Sequence, residues 1–77
     1  MPWFYFDLMV HGSAKNQGSM ILEDEAGARD RADSLARELR RAKPELEGKG
    51  CFVLVTDESA QELYRSPLDE RATNRQV

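Results

Sequence analysis

Three residues near the first predicted strand carry side chains of the kinds that nucleophilic catalysis uses. Asp7, His11 and Ser13 supply a carboxylate, an imidazole and a hydroxyl close together in the chain. A catalytic triad needs these groups on separate elements that hold them rigidly. Here His11 and Ser13 lie within the Gly-containing segment HGSAKNQG, residues 11–18, and Asp7 lies just before it, so the sequence favours a solvated hairpin loop over an active site.

Two further chemistries are considered and not favoured. A phosphate-binding loop needs Gly-Lys-Ser/Thr leading into a helix, whereas Lys15 lies inside the 11–18 loop and a strand-like segment follows. Cys51 is the single cysteine and His11 the single histidine, which gives neither an internal disulfide nor a structural zinc set. Alternation of Cys51 with Val53 and Val55 predicts a small core residue. We therefore predict no enzyme, no cofactor and no metal site.

Four cations collect near the end of the predicted helix: Arg37, Arg40, Arg41 and Lys43. They spread over about 160° of the helix with acids between them, which is typical of a solvated face. The whole chain has 11 basic and 14 acidic residues and a net charge of −3, which disfavours a nucleic-acid partner. A small-ligand or nucleic-acid-binding regulator, using this basic helix end and the 11–18 loop, stays open as an alternative.

The helix that carries these cations is the most regular segment of the chain. Its apolar residues recur at helical spacing and form one narrow stripe. Asp24 is the predicted N-cap, and Pro44 disfavours helical geometry at the residue before it. The helix should therefore end at Ala42 or Lys43. The predicted stripe consists of Ala28, Ala32, Leu35, Leu39 and Ala42.

Four segments rich in apolar residues flank the helix and predict a sheet. Together they predict an α+β fold of order β-β-α-β-β, with one helix packed on a three- to four-stranded, mainly antiparallel sheet. Residues 1–68 form the domain, and the polar residues 69–77 form a flexible tail. The predicted strands are Trp3–Val10, a short edge strand Ser19–Leu22, Cys51–Val55 and Glu62–Arg65, the last stopped by Pro67.

The sheet face away from the helix has an unusual composition. Side chains alternate between the two faces of a strand, and the first and third strands have apolar residues at both sets of positions. One helix covers only one face, so we predict that a second copy of the chain, or another protein, covers the other. The C-terminal tail is the alternative cover. The predicted interface residues are Trp3, Tyr5, Met9, Phe52 and Leu54.

With the elements in this order, the chain resembles a family of short bacterial proteins classified as a domain of unknown function. The resemblance covers roughly residues 3–68 and implies no activity, cofactor or site residue. In place of a common His the chain has Asp7, and no Gly follows its VTDE segment. The matching residues are Phe4-Tyr5-Phe6-Asp7-Leu8, Asp24, Ala28-Arg29, Ala36-Arg37-Glu38-Leu39, Val55-Thr56-Asp57-Glu58 and Pro67.

The sequence has no strong targeting signal. Trp3–Val10 is too short and too interrupted for a membrane span, and Met1-Pro2 supplies no basic start for a signal peptide. A reduced single cysteine fits a reducing compartment. We expect a cytoplasmic, non-enzymatic interaction module that forms a homodimer or binds a protein partner and does not bind a membrane.

Overall fold

The computed structural model describes residues 2–69, which form one helix on a four-stranded antiparallel sheet. This confirms the predicted β-β-α-β-β fold. The elements are β1 Trp3–Val10, β2 Ser13–Ile21, α1 Glu25–Ala42, a short 3₁₀ helix Pro44–Leu46, β3 Phe52–Thr56 and β4 Glu62–Pro67. The strand order is β2-β1-β3-β4, so β1 and β3 are central. Most of the predicted tail, residues 70–77, lies outside the described residues.

The second strand differs from the prediction. Residues 11–18 are not a loop: β2 runs Ser13–Ile21, and the turn consists of His11 and Gly12 alone. Both turn residues have positive φ, 51° and 83°, and a two-residue turn of this kind matches the twist of a hairpin. The polar sequence of β2 gives little strand signal, and β2 is extended because this turn places it alongside β1. It is an edge strand, as predicted.

One irregularity interrupts the pairing of β1 and β2. Opposite the stretch from Tyr5 to Asp7, β2 contains one extra residue. Gly18 lies there with a φ of 113° and donates its backbone N–H to Asn16 Oδ1 at 3.1 Å. A bulge of this kind twists an edge strand and makes it a poorer template for another strand.

The bounds of α1 follow from its capping residues. Asp24 Oδ1 accepts the backbone N–H of Gly27 at 3.0 Å, which confirms the predicted N-cap. The helix ends at Ala42, before Pro44, as predicted. Arg29 donates to Glu25 at 2.9 Å in an i,i+4 pair, which is exposed and therefore contributes little to stability.

The core lies between α1 and the inner face of the sheet. The predicted helical stripe is confirmed except at its end, because Ala42 in the last turn is exposed while Ala36 is buried. Leu46 packs against the core beyond the helix end. The buried apolar residues are Phe4, Phe6, Leu8, Ala28, Ala32, Leu35, Ala36, Cys51, Val53, Val55 and Leu68.

Candidate functional site

The sheet face opposite the helix, called the outer face below, contains all five predicted interface residues. Paired residues of antiparallel strands point to the same face, so the strand register defines its membership. The outer face consists of Ala14, Asn16, Ser19 and Ile21 on β2, Trp3, Tyr5, Asp7 and Met9 on β1, Phe52, Leu54 and Thr56 on β3, and Glu62, Arg65 and Pro67 on β4.

The two faces of the central strands are packed very differently. On the inner face Phe4 and Phe6 are 4% and 1% exposed. On the outer face Trp3 is 40% exposed, and the other four predicted interface residues are half-buried. Most of the apolar side chains of β1 and β3 that stay in partial contact with solvent therefore lie on the outer face; Val10, at the end of β1, is the inner-face exception.

Two opposite charges lie in one row across the outer face. The row runs from Asn16 through Asp7 and Leu54 to Arg65. Asp7 accepts one long hydrogen bond, from Asn16 Nδ2 at 3.4 Å. The row thus has a carboxylate on one central strand and a guanidinium on an edge strand.

Arg65 already has partners within the chain. Its guanidinium lies 4.8 Å from the centroid of the Phe52 ring and donates to both carboxylate oxygens of Glu62, with Nη2 to Oε1 at 3.1 Å. The hydrogen bond from Arg65 lowers the pKa of Glu62. Because the pair is exposed, water can replace it at small cost.

A second concave region lies between α1 and the edge strand β4. Its walls come from one side of the helix and from the end of the strand, and its volume is about 350 Å³. It was not predicted, because its residues are far apart in sequence. The lining residues are Asp33, Ala36, Arg37, Arg40, Tyr64, Ser66 and Pro67.

Asp33 joins the helix to β4 at the base of this cleft. Its Oδ1 accepts hydrogen bonds from the Tyr64 hydroxyl at 2.9 Å and from Ser66 Oγ at 2.6 Å. Burial, and then the hydrogen bond to Asp33, raise the pKa of Tyr64, which stays a donor at neutral pH. Ser66 is 2% exposed, and its hydroxyl donates a hydrogen bond to the Asp33 carboxylate. Asp33, Tyr64 and Ser66 are therefore suited to holding the helix against β4 rather than to nucleophilic attack.

The residues considered for catalysis do not converge. Asp7 points to the outer face, whereas Ser13 pairs with Val10 and points to the inner side of the sheet. His11 is exposed in the hairpin turn. Cys51 is buried, as predicted for a core residue. Among residues 2–69, no three His, Cys, Asp or Glu side chains come together in a group that could hold a metal ion.

The cations at the helix end have two environments. Arg37, Arg41 and Lys43 are exposed, as predicted for a solvated face. Arg40 is half-buried and donates from Nη1 to the Leu68 carbonyl at 3.2 Å. The basic helix end and the segment 11–18 do not form one surface, because α1 packs against β3 and β4 while β2 is the opposite edge of the sheet.

The fold and its two surfaces define a small α+β domain in which one helix covers one face of an antiparallel sheet. The sequence matches the DUF6894 family, a domain of unknown function, over residues 3–69, and the chain belongs to this family. The match confirms the resemblance drawn from the sequence. No curated protein and no solved structure shows a significant match. In the part of the chain that the structure describes, no helix is long and apolar enough to cross a membrane.

Proposed function

We propose that this chain is a non-enzymatic interaction module that forms a homodimer through the outer face. The observation that carries the proposal is that β1 and β3 have apolar residues on both faces, whereas the helix covers only one of these faces. Exposed apolar faces with polar residues among them mark interaction sites. A cytoplasmic location belongs to the same proposal, since the lone, buried Cys51 suits a reducing compartment.

The size of the outer face supports a second copy as its partner. The four strands lie about 4.8 Å apart and are five to nine residues long, about 23 Å on average, so the face measures about 450 Å². Two such faces bury about 900 Å², which is slightly below the usual lower limit of about 1,000 Å² for a specific interface. A dimer would therefore have to use nearly the whole face. The buried area also adds to the small core of a 77-residue chain.

The positions of the charges select one arrangement of the two copies. If the twofold axis lies along the strands, between β1 and β3, each row faces the same row of the partner in reverse order. Asp7 then lies beside the partner's Arg65, and Met9 faces the partner's Phe52, a favourable sulfur–aromatic contact. If the axis crosses the strands at the Asp7 row, like charges face each other, which is unfavourable. The first arrangement is the one we propose.

The mass of the chain in solution tests the proposed dimer. Sedimentation at micromolar concentration should give twice the 8.8 kDa mass of one chain. Replacing Phe52→Ser together with Leu54→Thr should produce a monomer with an unchanged helical circular dichroism signal. The matched control is Met20→Thr, which changes a residue that is 39% exposed but lies on the other side of the sheet. A monomer at every concentration overturns the proposed function.

A charge exchange tests the arrangement separately. Asp7→Arg alone and Arg65→Asp alone should each weaken the dimer at least about tenfold, because like charges then meet. The double variant should recover most of the affinity, since the pair is restored with reversed signs. Glu62→Gln removes the intrachain partner of Arg65 and should leave the dimer intact. If Asp7→Arg, Arg65→Asp and the double variant all dimerise as tightly as the parent chain, this arrangement is wrong, although the proposed homodimer still stands.

The alternative, a ligand- or nucleic-acid-binding regulator, cannot use the combined surface that was predicted for it. It required the basic helix end and the segment 11–18 to act together, and these lie on opposite edges of the sheet. The helix end by itself still borders the cleft with Arg37 and Arg40.

A further inference from the structure

The cleft between α1 and β4 combines a cavity with cations that have spare hydrogen-bonding capacity. Within residues 2–69, Arg37 donates only to Ser34 Oγ, at a long 3.4 Å, and Arg40 only to the Leu68 carbonyl at 3.2 Å. Each guanidinium has five N–H donors. Among the described residues neither forms a salt bridge; the two bridges found there involve Arg29 and Arg65. Both guanidinium groups therefore have donors left for a ligand.

The local charge of the cleft is opposite to that of the whole chain. Its lining contains two guanidinium groups and one carboxylate, Asp33, which leaves one positive charge in a protein with a net charge of −3. The Asp33 oxygen Oδ1 is occupied by the hydroxyls of Tyr64 and Ser66. These hydrogen bonds turn that oxygen toward β4, so the two guanidinium groups are the charged donors that the lining offers to a ligand.

The position of Arg40 is fixed before any ligand arrives. Its half-buried side chain is held by the carbonyl of Leu68, a residue that is itself fully buried. Arg37 lies one turn earlier on the same helix, and side chains at i and i+3 are neighbours on a helix surface. Arg40 is therefore the positioned member of the pair and exposed Arg37 the adaptable one, and two neighbouring guanidinium groups are well suited to planar or tetrahedral oxyanions.

We propose that this cleft binds a small organic oxyanion, with Arg37 and Arg40 holding its phosphate or carboxylate group. The apolar body of the ligand lies against Ala36, Pro67 and the ring side of Tyr64. The volume of about 350 Å³ is at the lower end of the range for small-molecule sites. Pro67, at the end of β4, borders both this cleft and the outer face; the two arginines lie on the helix, so binding does not depend on dimer formation.

Titration of the full chain, followed by ¹H–¹⁵N NMR spectra, tests the site with three probes. Phenyl phosphate and benzoate carry the two oxyanion types on the same ring, and inorganic phosphate lacks the apolar body. We expect saturable shifts at the amides of residues 36–37 and 64–66 with at least one aromatic probe, and its preference identifies the group. Absence of saturable shifts with all probes overturns the proposal. Equal affinity for inorganic phosphate overturns the role of the apolar wall.

Variants of neighbouring arginines supply the matched controls. Arg37→Gln and Arg40→Gln should each weaken binding about tenfold or more, because each removes charged hydrogen bonds. Arg41→Gln removes the same charge next to the cleft and should leave the affinity unchanged. If Arg41→Gln weakens binding as much as the others, the attraction is general and the site does not exist. Arg37 is exposed, so its variant keeps the test valid even if Arg40→Gln disturbs the fold near Leu68.

Discussion

The two faces of β1 and β3 have similar apolar content and opposite fates. On the inner face Phe6, Val53 and Val55 are at most 1% exposed under the helix. On the outer face Tyr5, Phe52 and Leu54 are only half-buried. Because strand alternation separates the two sets on one backbone, the difference comes entirely from what covers each face. Apolar side chains alone therefore do not define a core; the covering layer does.

The difference also separates the face that stabilises the fold from the face that we propose as the interface. The inner face is closed by small helical residues, Ala28, Ala32 and Ala36, which allow the helix to lie close to the sheet. The outer face combines apolar residues with Asp7 and Arg65, whose charged groups are hydrated when the face is open and can form oriented ion pairs with a partner. Three measurements, from the largest expected effect to the smallest, test how far this comparison holds.

Truncation of one inner-face aromatic residue should have the largest effect. Phe6→Ala should cost about 3–5 kcal/mol of the free energy of unfolding, since it leaves a cavity at a residue that is 1% exposed. That is comparable with the total stability of a small domain. Urea denaturation, at the lowest workable protein concentration, measures it. Tyr5→Ala, one position away on the outer face, should cost far less; equal losses would mean that both faces are packed alike.

Loss of the helix cap should have an intermediate effect. Asp24→Ala removes the acceptor of the Gly27 N–H and should cost about 1 kcal/mol. The inner face needs the helix, so the thermal midpoint should fall without a change in the outer-face residues. Asp30→Ala, on the exposed side of the same helix, is the control. A similar loss for both variants would contradict the specific role of the cap.

The smallest effect is expected from the contact that joins the helix to β4. The pKa of Tyr64 is raised, mainly by burial and then by its hydrogen bond to Asp33. Above pH 10 the unfolded chain loses the phenol proton before the folded chain does, so this contribution is complete below that pH and is lost as pH rises through the folded pKa. Denaturation at several alkaline pH values should show this loss.

Two phenylalanine variants isolate that contribution. Tyr64→Phe has no titrating phenol at this position, so its free energy of unfolding should fall less steeply with pH than that of the parent chain. Tyr5→Phe makes the same substitution on the outer face, away from the helix, and is the matched control. Identical slopes for the parent and Tyr64→Phe would exclude the Tyr64–Asp33 contact as the cause.

Much of the fold could be predicted because its signals are local. The capping carboxylate of Asp24 and the position of Pro44 defined the helix, and the alternation of Cys51 with Val53 and Val55 assigned Cys51 to the core. The prediction failed at β2, whose polar residues are extended only because the His11–Gly12 turn pairs them with β1. It also failed at Ala42, where helical spacing continues after the core has ended.

The candidate sites divide in the same way. The outer face could be assigned from alternation, because period-two spacing sets the direction of every side chain in a strand. The cleft could not, because its carboxylate and its two hydroxyl partners are 31 and 33 residues apart in the chain. Nothing in the local sequence links them.

By itself, the sequence determined the helix and its caps and the two faces of each strand. It also determined that one helix can cover only one of the two apolar faces of the sheet. These depend on interactions within a few residues. Only the tertiary structure decided the order β2-β1-β3-β4, the length of β2 and the meeting of Asp33 with Tyr64 and Ser66. Those features depend on which distant segments pair, and pairing is set by the packing of the whole chain.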